Sequence, residues 1–435
     1  VIRQYIERYA EQEAVSLWHD SAGILKEQYD AVLIVPAYAE CFADLMRVTE
    51  ALTKEVDHIR LLQIWVINAP EDADVDHLEQ TRHCWNECLQ QSHEIASFSN
   101  MVLRRFAFGD ALLVDRFGEG NQISPRQGVG LARKVGGDCA LVLSHSGNIK
   151  SGWIHYTDAD ARLPRDYFQQ TTGMGMKCSA AVYAHFHREE GDARQQEAMR
   201  RYQLKLDRHV TGLKTAGSPY AYHSIGSTIA CRAEAYLKVR GMPARPAGED
   251  FYFLNKLSKI APVISLDGAA IELSGRISRR VPFGTGPALS SALEVNASRQ
   301  NVNDITNDIT NGIVDTAIVQ YHPDIYRLLA LLLAQVKVFW HHQLSPEMAT
   351  ESLCKDMQAV IVFHGLDPEL PKQWCHEQGL TGRVEGLIRQ SANEDAFSRH
   401  FHCWFDAFKT LKFIHWWRDQ GLKSIPVSSV ESDAI

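Results

Sequence analysis

Asp158 and Asp160 stand two apart in the run IHYTDADARLP, behind a short, partly apolar stretch. A carboxylate–spacer–carboxylate at a strand end sets two anionic oxygen donors on one edge of a sheet. That is a seat for a hard divalent cation, Mn2+ or Mg2+, holding a diphosphate. The same residues also make an ordinary turn. Three further segments add to the chemistry: AVLIVPAYAE at 31–40, QGVGLARKVGGDCALVL at 127–143 and GEDFYFLNKL at 248–257. The last puts Glu249 and Asp250 in the first turn of a helix whose apolar face is Phe251, Phe253, Leu254 and Leu257. Acidic residues are common there for capping alone. A carboxylate within hydrogen-bond reach of a hydroxyl can also take its proton.

A sheet is needed to gather these residues, and strand and helix alternate at the spacing that builds one. The pattern predicts a helix over 2–28, a strand at 31–39 stopped by proline, a helix over 41–57 and a strand at 61–70, again ended by proline. A helix over 77–97 follows, then strands at 111–117, 139–145 and 153–160, with a glycine-punctuated helix between the first two of these. The fold class is α/β: a mostly parallel sheet flanked by helices, with a mainly helical C-terminal region. In such sheets ligands collect beyond the carboxyl ends of the strands, and Pro36, Asn68 and Asp158 all fall there. The domain reading is a catalytic domain over 1–299, with a polar helical excursion near 165–217, and a helical region over 300–435. The latter contains helices at 324–342 and 401–420.

The chain has 435 residues, 45% hydrophobic and 23% charged, with a net charge of -8, so it lacks the basic footprint of a nucleic-acid binder. No run approaches a membrane span. The first twenty or so residues are helical in pattern and acidic-rich, unlike a secretory leader. The expectation is a cytoplasmic protein, peripheral to a membrane if the aromatic stripe at 401–420 touches lipid rather than core. Nine scattered cysteines fit reduced thiols. Cys84 and Cys88, with His83 and His93 nearby, match no zinc spacing, and His341, His342, His400 and His402 read as packing or surface residues.

In chain order, residues 30–280 resemble an inverting, family-2-type glycosyltransferase of the GT-A fold. AVLIVPAYAE resembles that family's first strand, whose end approaches the nucleotide around Pro36. IWVINAPEDAD resembles the second strand, where the family often has an acidic residue near the base. Asn68 stands there instead, with Asp72 and Asp74 beyond it. QGVGLARKVGGDCALVL resembles the run in which a helix carries an arginine and leads to a strand, so Arg133 is implied at or beside the nucleotide site. IHYTDADA resembles the metal and diphosphate motif. It implies the cation for Asp160, and the ribose, the cation through water, or both for Asp158.

The acidic pair of GEDFYFLNKL is implied to supply the base that deprotonates the acceptor, Asp250 first and Glu249 as its substitute. SIGSTIACR resembles the stretch lining the donor sugar and acceptor, where Gly226 and Ser227 admit a close backbone. For Gly226 the plainer reading is turn chemistry. Arg276, Arg279 and Arg280 flank a Gly/Pro/Ser loop. Arginine forks suit a diphosphate or an anionic acceptor, and a solvated basic loop is the competing account.

The resemblance implies transfer of a sugar from a nucleotide-diphosphate donor to a hydroxyl on a sugar, small-molecule or lipid-linked acceptor. Mn2+ or Mg2+ is the implied cofactor, and direct attack opposite the diphosphate inverts the anomeric centre. The C-terminal helices either form a homo-oligomer interface or cover the catalytic domain. Two alternatives stand beside this reading. A nucleotidyltransferase would carry a glycine-rich basic loop after the first strand, where AYAECFADL has neither glycine nor basic residue. A catalytically degenerate GT-A-like binding module would have no need of Asp158, Asp160 and the Glu249–Asp250 pair. No GxGxxG follows the first strand, which counts against a dinucleotide enzyme.

Overall fold

The run AVLIVPA is buried at every position, and a strand buried on both faces reads as just such an unbroken apolar run. It forms β1 (Ala31–Ala37), at the centre of the sheet. The computed structural model describes residues 1–24, 27–53, 59–175, 177–276, 318–341 and 345–427. The other strands of the first unit are β2 (Leu61–Asn68), β3 (His93–Phe98), β4 (Met101–Phe106), β5 (Gly109–Arg116), β6 (Trp153–Tyr156), β7 (Ala180–Val182), β8 (His185–His187), β9 (Ile229–Arg232), β10 (Val263–Ser265) and β11 (Ile271–Leu273).

Among the described residues the sheet runs β10-β7-β9-β6-β1-β2-β5-β4-β3. Its centre, β6-β1-β2-β5, is parallel. Antiparallel pairs lie on both sides, β4 and β3 beyond β5, and β9 between β6 and β7. β8 and β11 pair separately, in parallel. The result is a mixed sheet flanked by helices, with a mainly helical C-terminal region.

Several local expectations are corrected. The expected helix over 77–97 ends at Gln90, and the chain then turns into β3 at His93. β1 runs through Pro36 instead of stopping there. Ile34, which points the same way along the strand, accepts from Thr157 N at 3.0 Å, but the β6 pairing ends at Tyr156. The amide hydrogen that proline lacks therefore falls where no partner strand continues. The expected strand at 139–145 is the second half of one helix, Gly128–His145, buried from Gly130 to Leu143. From Cys139 to Leu143 every residue is buried and apolar, which erases the periodicity that separates a helix from a buried strand. Gly136 lets this helix lie directly on β1, because a Cβ there would overlap the Ile34 side chain.

The chain divides into two compact units, Val1–Glu190 with Ser224–Pro287, and Gly191–His223 with Ala288–Ile435. The Ala193–Thr215 helix of the polar excursion groups with the second unit. That unit's core is built from Leu328, Leu332, Leu353, Trp374, Phe397 and Trp417 among others, and a short antiparallel pair joins β12 (Val319–Gln320) to β13 (Ile425–Pro426). The 401–420 stretch is two helices, Glu394–Trp404 and Ala407–Asp419, because the Asp406 side chain accepts from Lys409 N at 3.0 Å and starts a new helix. Phe401, Phe405, Phe413 and Trp417 of its aromatic stripe are buried. Among the described residues no helix is long and apolar enough to cross a membrane.

Candidate active site

β6 ends at Tyr156, and the chain leaves the sheet through Thr157 into the Asp158–Ala161 turn, closed by Ala161 N on Asp158 O at 3.1 Å. Asp158 and Asp160 thus stand at the carboxyl edge of the parallel strands, where a doubly flanked sheet leaves an open crevice. Their side chains are 39% and 24% exposed.

Arg133 reaches this edge from the second turn of the Gly128–His145 helix. Its Nη2 donates to Asp158 Oδ1 at 2.5 Å, and its Nη1 donates to Glu249 Oε1. Arg133 and Glu249 are both buried, with side chains 6% and 3% exposed. Gly226 completes this arrangement, since a Cβ at that position would run into the guanidinium. Glycine is needed here for close packing against Arg133.

Glu249 and Asp250 open the Glu249–Leu257 helix behind Gly248, whose φ of 70 is left-handed. The helix dipole favours both charges in that first turn. Asp250 is half-buried, and its Oδ1 accepts from Phe251 N at 2.7 Å. Desolvation, followed by the neighbouring Glu249 charge, pushes its pKa from 3.8 up to about 7, with Arg133 pulling the other way.

A second cluster surrounds Asp160. Arg276 Nη2 lies 2.9 Å from Asp160 Oδ2 and also donates to Glu40 Oε1, while Arg188 Nη2 donates to the Asp160 carbonyl at 3.2 Å. Glu40, just beyond β1, is buried at 6%. The sequence reading passed over Glu40 and Arg188. The available signal for Glu40 was its place: an acidic residue a few positions past the end of a buried strand, on the ligand-binding edge.

Asn68 ends β2, and its amide donates to the carbonyls of Ala37 at 3.2 Å and Val66 at 2.9 Å, so its donors tie the strand ends together. Pro36 lies inside β1, one residue from its end. Arg279 and Arg280 lie outside the described residues, as does His342.

The oxygen-only donors of Asp158 and Asp160 suit a hard cation such as Mn2+ or Mg2+, which commonly takes one or two carboxylates and completes its shell with phosphate and water. An ion seated on Asp160 Oδ2 would have to displace Arg276 from that oxygen. The described residues hold one group of three His, Asp, Glu or Cys side chains able to take a divalent metal, His322, Asp324 and His364, and it belongs to the second unit. A cavity of about 570 Å³ lies at the opposite, amino edge of β2 and β5. Its charged lining is paired, Arg105 with Asp110 at 2.8 Å and Arg60 with Glu27 at 2.6 Å.

No protein-family model matches this chain, and no curated protein does. Among solved structures, the chain is similar to the mannosyltransferase PcManGT from Pyrobaculum calidifontis in complex with GDP-Man and Mn2+, at 13% identity and a TM-score of 0.35, covering 93% of this chain and 98% of that one. It is similar to S. aureus TarS 1–349 in complex with UDP-GlcNAc at 10% identity and a TM-score of 0.37, covering 92% and 98%. Glucosyl-3-phosphoglycerate synthase from Mycobacterium tuberculosis is similar at 16% identity and a TM-score of 0.31, over 71% and 87%. At these TM-scores none of the likenesses decides the activity of this chain.

Proposed function

We propose that this chain is a nucleotide-sugar glycosyltransferase of the GT-A type, inverting and dependent on Mn2+ or Mg2+. The proposed catalytic domain is the 1–299 stretch, built on the sheet, except for the Gly191–His223 excursion, which groups with the helical region assigned to 300–435. One observation carries it: Arg133 joins Asp158, from the strand-end carboxylate pair, to Glu249, the immediate neighbour of Asp250. Two carboxylate motifs about ninety residues apart in sequence are thereby fixed on one sheet edge.

In this reading Asp160 and Asp158 hold the ion beside the donor diphosphate. A divalent cation, when bound, supplies positive charge to that leaving group. Asp250 is the general base, since a pKa near 7 suits a carboxylate that must both accept and release a proton near neutrality. It takes the proton of the acceptor hydroxyl as that oxygen bonds to the anomeric carbon and the bond to the diphosphate breaks. One displacement inverts the centre. Glu249 is buried against Arg133 and serves as a positioning residue rather than a second base. The acceptor is a hydroxyl compound, free or lipid-linked.

The test is transfer from UDP- and GDP-sugars with Mn2+ present, comparing the wild type with Asp250→Asn. The proposal expects product with the wild type, and donor binding without transfer in the variant. Equal transfer by both would remove Asp250 from its role.

A further inference from the structure

The second unit holds a cluster that the sugar-transfer reading does not use. His322 precedes the Pro323–Trp340 helix as its N-cap, with Asp324 in the first turn. His364 follows the Pro346–Val362 helix. His364 Nε2 lies 2.7 Å from Asp324 Oδ2, and His322 Nδ1 lies 3.9 Å from the same oxygen. The two imidazole rings meet edge to face with centroids 4.9 Å apart, and one donor atom from each residue lies within 4.8 Å of the others.

We propose that His322, Asp324 and His364 form a binding site for a borderline transition-metal ion, Zn2+ above all, which clamps the end of one helix to the start of the other. The donor set selects the metal, since two imidazoles and one carboxylate suit Zn2+ and its neighbours rather than Mg2+ or Ca2+. The geometry is close to what is needed. Zinc bonds of about 2.0–2.2 Å place tetrahedral ligand atoms roughly 3.3–3.5 Å apart. The observed separations straddle that range, so rotations about the side-chain bonds suffice.

The tautomer of His322 is already suitable. Its Nδ1 accepts from Asp324 N at 3.2 Å and so carries a lone pair rather than a proton. Binding exchanges that weak cap hydrogen bond for a metal bond. Arg327 Nη1 holds the other oxygen, Asp324 Oδ1, at 2.8 Å, an outer contact that orients the carboxylate while leaving Oδ2 directed at the histidines. The three side chains are 24%, 16% and 21% exposed, so an ion has a route in and a water can fill the fourth position.

The competing reading is a helix cap plus an Asp–His pair with no metal. The 435-residue chain, stripped with chelator, is titrated with Zn2+ by calorimetry and with Co2+ by visible absorption. The same titrations are run on His364→Ala, His364→Gln and Asp160→Asn. The proposal expects one tight Zn2+ per chain, a tetrahedral Co2+ band, and a rise in Tm of about 5 °C at saturating Zn2+. Both His364 variants lose all three, and Asp160→Asn keeps them. If His364→Ala fails to fold, His364→Gln decides, because glutamine keeps a donor toward Asp324 and is a poor zinc ligand. No Zn2+ binding by the wild type, binding retained in a folded His364→Gln, or loss in Asp160→Asn alone overturns the assignment.

Discussion

Asp158 and Glu249 share a single guanidinium: Arg133 gives one terminal nitrogen to each, from a position where it and Glu249 are almost wholly buried. The strand-end carboxylate pair and the acidic helix start are thereby one unit, and the account of this protein follows from that junction.

Breaking the junction from the arginine side leaves the Glu249 charge buried without its partner. Arg133→Met is expected to destabilise the first unit by about 3–5 kcal/mol in urea unfolding. Arg133→Met with Glu249→Gln removes the stranded charge and should recover much of that loss. A double variant no more stable than Arg133→Met would mean that the pair is not the source of the effect.

Gly226 is placed by the same guanidinium. Gly226→Ala inserts a Cβ into space that Arg133 occupies, and overpacking of this kind costs about 1–3 kcal/mol. Donor binding should weaken along with stability, read by calorimetry and thermal unfolding on the same sample. A neutral Gly226→Ala would show that Arg133 can move aside freely.

As the proposed base, Asp250 should set the pH dependence. For a base with a pKa of about 7, kcat/KM should rise with pH through that value and level off above it. Asp250→Asn should lower the transfer rate about 10²–10⁴-fold and remove the inflection. Stability runs the other way. Folding raises this pKa above its ordinary 3.8, so the native chain retains a proton that the unfolded chain has released. The stabilising contribution is complete below the ordinary value and fades as pH rises through about 7. Asp250→Asn should flatten this part of the stability profile, measured by denaturant unfolding between pH 4 and pH 8 as rough limits.

In the proposed site Arg276 would compete with the cation for Asp160. Its ion pair with Oδ2 is partly exposed, 35% on the arginine side, and such pairs are worth up to about 1 kcal/mol. Arg276→Gln should therefore tighten Mn2+ binding by about two- to fivefold at low salt. Unchanged or weaker Mn2+ binding would mean that Arg276 helps to seat the ion or the diphosphate rather than opposing it.

The residues of this site were legible to different degrees for physical reasons. Asp158 and Asp160 stood out as a carboxylate–spacer–carboxylate behind an apolar strand run, Glu249 and Asp250 as an acidic pair opening a helix, and the family resemblance gave both pairs a role. Arg133 was visible as an arginine within an apolar run, but its two partners lie 25 and 116 residues away, a distance that local pattern does not encode. The helix that carries it was half misread, since CALVL is buried at every position and shows neither period. Glu40 escaped notice because its partner Arg276 comes from the far end of the unit. The His322–Asp324–His364 cluster escaped for the same reason: His364 approaches from a different helix, 40 residues from Asp324.

The central claim is that Asp160 and Asp158 hold the cation of a nucleotide-sugar site. The direct measurement is calorimetric titration of UDP, GDP and their sugar conjugates into the full chain, with and without Mn2+, repeated on Asp160→Ala. The account predicts that one nucleotide class binds, that binding requires Mn2+, and that Asp160→Ala abolishes it while the protein stays folded. Binding of none of them by the folded wild type, or Mn2+-dependent binding that survives in Asp160→Ala, would contradict it.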